Sequence, residues 1–120
     1  YKQSGNLHVH KGDSDPFDYA NHSSFTVPID TWYNFTHTNN GSTDKLYINA
    51  VEISSISFSF GTLLTGGRVV IGQEQDNVGG GFQTDQDFPG SYANLSIYNR
   101  ALSAAEIQQN YNALKTRYGL

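Results

Sequence analysis

"DTWYNFTHTNNGSTDKLYINAVEI", residues 30–53, is the stretch on which the fold turns. In its first half Trp32, Asn34 and Thr36 fall on one side of an extended chain and Tyr33, Phe35 and His37 on the other; in its second half Leu46 and Ile48 alternate with Tyr47. Successive side chains of a strand leave opposite faces, so alternation of period two is the mark of half-buried antiparallel strands. Asn49-Ala50 then occupies the place of a two-residue hairpin turn ahead of "VEI". The segment predicts antiparallel strands with a tight turn at Asn49-Ala50.

The alternation continues in both directions. Leu7 and Val9 alternate with His8 and His10, and Phe25 and Val27 precede Pro28, which limits further pairing because it has no N–H to offer a ladder. After "SISFSF" and the Gly66-Gly67 break, "RVVIG" (68–72) is a continuous apolar run suited to a strand buried on both faces. "GSYANLSIYN" (90–99) predicts a last strand, with Tyr92, Asn94, Ser96 and Tyr98 opposite Ala93, Leu95 and Ile97. There the period changes. In "LSAAEIQQNYNALKTRYGL" (102–120), Ser103 and Glu106 form a capping box, and Leu102 and Ile107 hold the positions of a hydrophobic staple. Ile107, Tyr111, Leu114 and Tyr118 recur at helical spacing, and Gly119 suits a helix end. One amphipathic helix therefore closes an otherwise all-β chain.

A length of 120 residues, with no internal repeat, linker or low-complexity tract, predicts one domain over residues 1–120 around a single core. Seven basic against eleven acidic residues, net charge -4, argue against nucleic acid and anionic membrane as partners. No apolar run approaches the roughly 20 residues that a bilayer-spanning helix needs. The absence of cysteine excludes a disulfide framework, a thiolate metal site and a cysteine nucleophile. Eight Tyr and seven Phe among abundant Asn, Ser, Thr and Gly favour strands and turns. Sequons at Asn21, Asn34, Asn40 and Asn94 agree with an extracellular, cell-surface or virion-surface location.

Chemistry concentrates in "IGQEQDNVGGGFQTDQDFPG" (71–90), where Glu74, Asp76, Asp85 and Asp87 crowd around three consecutive glycines. Such crowding is costly unless water screens the charges or a cation neutralises them. Calcium takes roughly six to eight oxygens from carboxylates, amides, backbone carbonyls and water. In an extended "EQD", Glu74 and Asp76 point the same way and the Gln75 carbonyl can turn toward the same point at a bend. Glycines 79–81 let the chain fold back and bring Gln83 and Gln86 toward that pair. The competing reading is a long turn with solvated carboxylates.

Other candidates carry less. His8 and His10 lack a third ligand at a diagnostic spacing and read as solvent-facing strand positions. Asp13, Asp15 and Asp18 in "KGDSDPFD" lack the Gly and the terminal Glu of an EF-hand and read as an Asp/Pro turn. Trp32 reads as a packing residue more readily than as a sugar-stacking face. No Ser-His-Asp elbow, phosphate loop or HExxH segment occurs, so catalysis is not expected.

In their order, the strands, the segment 30–53, the loop and the terminal helix resemble the laminin G and pentraxin group of concanavalin A-like jelly rolls, from about Asn6 to Leu120. The resemblance is carried by a Trp near a strand start, by "LYINA" (46–50) where the family has "LYxNG", and by "YNRALS" (98–103) before the helix. "GQEQDNVGGGF" (72–82) is similar to the calcium-binding loop of pentraxins. This implies an antiparallel β-sandwich of the jelly-roll kind with one C-terminal helix, lacking the family's N-terminal strands, which would fall before Tyr1. It also implies a Ca2+ set of Glu74, the Gln75 carbonyl, Asp76, Gln83 and Gln86. The pentraxin cysteine pair is absent, and the family's additional Asp-Asn ligands would fall before Tyr1. Gln83 stands where Glu is typical, which implies one calcium ion with Kd of about 10⁻⁴ to 10⁻³ M.

Glucanases of the same fold use Glu-x-Asp-x-x-Glu. Here Gly79 stands in place of the second Glu, so the acid is missing. The resemblance thus implies a non-catalytic recognition module that binds carbohydrate or another polar surface ligand with calcium. The alternative is a structural or adhesive domain of a virion, tail fibre or cell-surface protein, with a second copy or a neighbouring chain completing the sandwich. Endings similar to "YNRALSAAEIQQNY" are common in surface proteins of bacteria and phages.

Overall fold

The strands predicted on either side of Asn49-Ala50 are present. The computed structural model describes residues 2–3, 6–11, 18–22, 30–59, 70–73, 80–83 and 87–120. One antiparallel sheet holds β1 (Lys2–Gln3), β2 (Asn6–Lys11) and β3 (Asp18–His22); a second holds β4 (Phe35–Asn39), β5 (Thr43–Ile48) and β6 (Val51–Ser57). In both, strands adjacent in sequence are adjacent in space, as short connections favour. The sheets approach each other through β3 and β6.

Local chemistry explains both turns of the second sheet. Between β4 and β5, the Asn40 side-chain oxygen accepts the backbone N–H groups of Ser42 at 3.1 Å and Thr43 at 2.8 Å, while Gly41 takes φ of 94°. Between β5 and β6, Asn49 and Ala50 both have positive φ, 50° and 65°, as a two-residue hairpin with right-twisting strands requires. Asn49 tolerates that region through its short polar side chain; its Oδ1 accepts the Asn34 N–H at 2.8 Å. Ala50 carries the steric cost uncompensated.

The register sorts the faces. Pairs Phe35↔Ile48, His37↔Leu46 and Asn39↔Asp44 put these residues on one face of the sheet, and Thr36↔Tyr47 and Thr38↔Lys45 on the other. An irregularity at Leu46/Tyr47 brings Tyr47 opposite Glu52, so that Glu52 accepts from the Tyr47 hydroxyl at 3.0 Å and from Lys45 Nζ at 2.8 Å. Among the described residues, Leu46, Tyr47 and Ile107 are the buried hydrophobic side chains, and His22, Thr38 and Asp44 the buried polar ones.

Helix α1 (Ala104–Tyr118) begins and ends where the sequence predicts. Glu106 accepts the Ser103 N–H at 2.8 Å while the Ser103 hydroxyl accepts the Glu106 N–H at 3.3 Å, a closed capping box. Gly119 ends it at φ of 70°. Of the predicted stripe Ile107 is buried and Tyr111, Leu114 and Tyr118 are half-buried.

Three expectations are corrected. Val70 is irregular and residues 71–73 form bends rather than the end of a strand, with 68 and 69 outside the described residues. The last predicted strand, 90–99, forms no ladder among the described residues, and Leu95 and Ile97 are 59% and 71% exposed. Alternation shows how side chains segregate, but a strand also needs a partner for its N–H and C=O groups, and no described segment pairs with this one. Trp32 is 48% exposed rather than a packed framework residue, its ring 6.3 Å from that of Tyr118. Phe25, Val27 and Pro28 lie outside the described residues. Of the predicted sandwich, the described residues give these two sheets and the helix.

Candidate functional site

Where the two sheets meet, three strands converge on one carboxylate. Asn39 closes β4 directly opposite Asp44 on β5, and His37 lies two residues earlier on the same face. His22, the last residue of β3, reaches the same point from the other sheet. The Asp44 oxygens face His22 Nε2 and His37 Nε2, each at 2.7 Å, and Asn39 Nδ2 donates at 3.0 Å. The side chains of His22 and Asp44 are 0% exposed and that of His37 is 22% exposed. The imidazole rings meet edge to face, with centroids 6.4 Å apart and planes at 73°.

Burial by itself pushes the Asp44 carboxyl up. The hydrogen bonds from His37 and Asn39, the charge on His37 and the bond from His22 outweigh it, and the carboxyl lies below its ordinary value. Asp44 is therefore a buried anion held by directed donors. Nδ1 of His22 has no hydrogen-bond partner among the described residues. One ligating atom each from His22, His37 and Asp44 lies within 4.8 Å of the others.

Sequence reasoning did not single out this cluster. Its signal was the phase of the strand: Asp44 shares a face with Leu46 and Ile48, and a carboxylate in phase with core residues needs a partner. His22 is 22 residues from Asp44, a separation that no local pattern bridges.

Of the predicted calcium ligands, Gln83 is described; Glu74, Gln75, Asp76 and Gln86 lie outside the described residues. Gln83 is exposed, and its backbone carbonyl accepts a 2.7 Å bond from Gln73 Nε2. The Phe88 N–H donates to the Gly72 carbonyl at 2.7 Å, and the Phe88 and Tyr92 rings lie 5.0 Å apart. These bonds bring the outgoing limb at 72–73 beside the returning limb at 83 and 88. Next to them an open depression of about 360 Å³ is lined by Val70, Gln73, Phe82, Gln83 and Asp87. The donor set of two carboxylates, two side-chain amides and a carbonyl suits a hard, oxygen-seeking cation.

A laminin G family model, described as the concanavalin A-like lectin/glucanases superfamily, matches residues 1–108. The chain is similar to human (Homo sapiens) Pentraxin-4, 52% identical over 42 residues, which cover 35% of this chain and 9% of that protein. It is similar to C-reactive protein of Danio rerio, 42% identical over 50 residues, covering 42% of this chain and 22% of the relative. Serum amyloid P-component of Sus scrofa is 45% identical over 47 residues, 39% of this chain and 21% of the relative. The match thus spans less than a quarter of the length of each of these relatives. Among solved structures, an S-layer domain-containing protein from Clostridium thermocellum ATCC 27405 superposes with a TM-score of 0.59 at 22% identity, covering 89% of this chain and 52% of that one. That likeness concerns the fold.

Proposed function

The chain belongs to the concanavalin A-like lectin/glucanases superfamily, and from that premise we propose that it is a non-catalytic recognition module, active outside the cell or on a cell or virion surface, that binds carbohydrate or another polar ligand with the help of calcium. The ligand set is Glu74, the Gln75 carbonyl, Asp76, Gln83 and Gln86. The observation that carries the reading is the closure of the loop's limbs by the Gln73–Gln83 and Phe88–Gly72 bonds, which supports convergence of the oxygen donors between them. Beside it, the depression combines the exposed ring of Phe82 with amide and carboxylate groups of Gln73, Gln83 and Asp87, a mixture suited to a sugar's apolar face and hydroxyls. Bound calcium would order the loop and offer open coordination positions to ligand oxygens.

Titration calorimetry of the chelator-treated chain with CaCl2 tests this. One equivalent of calcium with Kd of about 10⁻⁴ to 10⁻³ M is expected, with the heat abolished in Asp76→Ala. A flat trace for the parent chain overturns the calcium reading, and a glycan panel probed with and without calcium then tests the ligand separately.

A second reading, a structural or adhesive domain assembled with a second copy, is favoured by one observation. Tyr92, Leu95, Ile97 and Tyr98 are exposed large hydrophobic residues of one short segment, and exposed apolar side chains concentrated in this way are common at docking surfaces. Among the described residues no helix is long and apolar enough to cross a membrane.

A further inference from the structure

We infer that His22, His37 and Asp44 form a second cation site, one for a divalent transition-metal ion of the zinc class, that clamps the two sheets together. The site is independent of the calcium loop. Two imidazole nitrogens with one carboxylate are the ligands of zinc and its neighbours, whereas calcium takes oxygen alone. All three ligating atoms already lie within 4.8 Å of one another. Ligands held at roughly 2.0–2.1 Å from a tetrahedral ion stand about 3.3 Å apart, so binding asks each 2.7 Å Nε2–carboxylate contact to lengthen by about half an ångström as the ion enters between the groups. His37, the more exposed of the three, is the side chain with room to move.

Charge points the same way. Asp44 is fully buried, and among the described residues no Lys or Arg pairs with it. A buried carboxylate with no Lys or Arg beside it is costly, and a dication at that point neutralises it. Coordination through Nε2 requires that nitrogen to give up its proton to Nδ1 of the same ring. In His22 the Asp44 carboxylate holds the proton on Nε2, and the ion would replace that bond; no described group occupies Nδ1, which is therefore open to receive the proton. Three protein ligands leave a position open on the side of His37, through which the ion enters and where water completes the shell.

The experiment uses the untagged, chelator-treated chain, titrated with ZnCl2 in a calorimeter and followed by thermal unfolding. One equivalent of zinc is expected to bind, and at about a hundredfold excess over Kd the unfolding midpoint should rise by about 10 °C. Co2+ should give the visible absorption of tetrahedral nitrogen and oxygen coordination. His37→Ala should lose the zinc heat and the cobalt bands while keeping the calcium heat; Asp76→Ala should keep the zinc heat. Absence of zinc heat and cobalt bands in the parent chain overturns the inference and leaves a purely hydrogen-bonded clasp. Zinc heat that persists unchanged in His37→Ala overturns it as well. Should His37→Ala fail to fold by near-ultraviolet circular dichroism, the cobalt spectrum of the parent chain decides.

Discussion

Ala50 and Asp44 show two ways in which a single residue can conflict with its surroundings. Ala50 occupies φ of 65°, where Cβ crowds the following carbonyl oxygen. Ala50→Gly removes that contact, gives back part of the gain to the greater freedom of the unfolded chain, and is expected to stabilise by about 0.5–1 kcal/mol in urea unfolding. Asp44 has the opposite standing: it accepts from His22, His37 and Asn39 at once. Asp44→Ala strands the buried donor of His22 and is expected to cost about 3 kcal/mol in the metal-free chain, by the same measurement. The first conflict was legible in the sequence, because Asn49-Ala50 sits where a positive-φ turn must fall between two alternating runs. The second was legible only as a phase, an Asp in step with Leu46, since its partners arrive through strand pairing and sheet contact.

At the scale of the element, α1 and the segment 90–99 differ in where their stabilising partners lie. Every signal of the helix is local: the cap, the N3 Glu, the stripe and the terminal Gly are all inside residues 103–119, and all are found in place. Ser103→Ala should cost about 1 kcal/mol. Glu106 also meets Arg100 through two bonds, Nη2 to Oε1 at 2.6 Å and Nη1 to Oε2 at 3.0 Å. Those bonds, together with the backbone and hydroxyl of Ser103, hold its carboxyl down from 4.5 to about 2. A carboxyl lowered in the folded state contributes stability that is present above its unfolded value and fades as pH falls through the folded one. The cap's contribution should therefore be constant above pH 4.5 and decline toward pH 2. Arg100→Ala should move the Glu106 titration, followed by carboxyl NMR shifts, back toward 4.5; an unchanged titration would show that Ser103 alone sets it. Segment 90–99 has no such local closure. Its alternation was readable, but the N–H and C=O groups of a strand are satisfied by another strand, and which strand that is lies outside any window of ten residues.

At the scale of the whole molecule, the exposed apolar side chains of residues 92–98 call for a cover. Tyr92, Leu95, Ile97 and Tyr98 each expose half or more of their surface, apart from Tyr98 at 49%. Exposed scattered leucines are ordinary, but four large apolar side chains within residues 92–98 gain from any edge or face that removes them from water, at about 25 cal/mol per Å². A second copy of the chain offers the same edge in return, and a pairing of identical edges is self-complementary about a twofold axis. If assembly is the role of this segment, the chain should sediment as a concentration-dependent dimer, and Ile97→Lys should return it to monomer. Ile97 is 71% exposed, so the substitution leaves the core alone and the urea midpoint of the monomer should move by no more than about 0.5 kcal/mol in free energy. The same variant should keep its calcium heat, because the proposed ligands lie between residues 74 and 86. A chain that is monomeric at every concentration, with Ile97→Lys indistinguishable from it, would remove the assembly reading and leave recognition through the loop as the function to pursue.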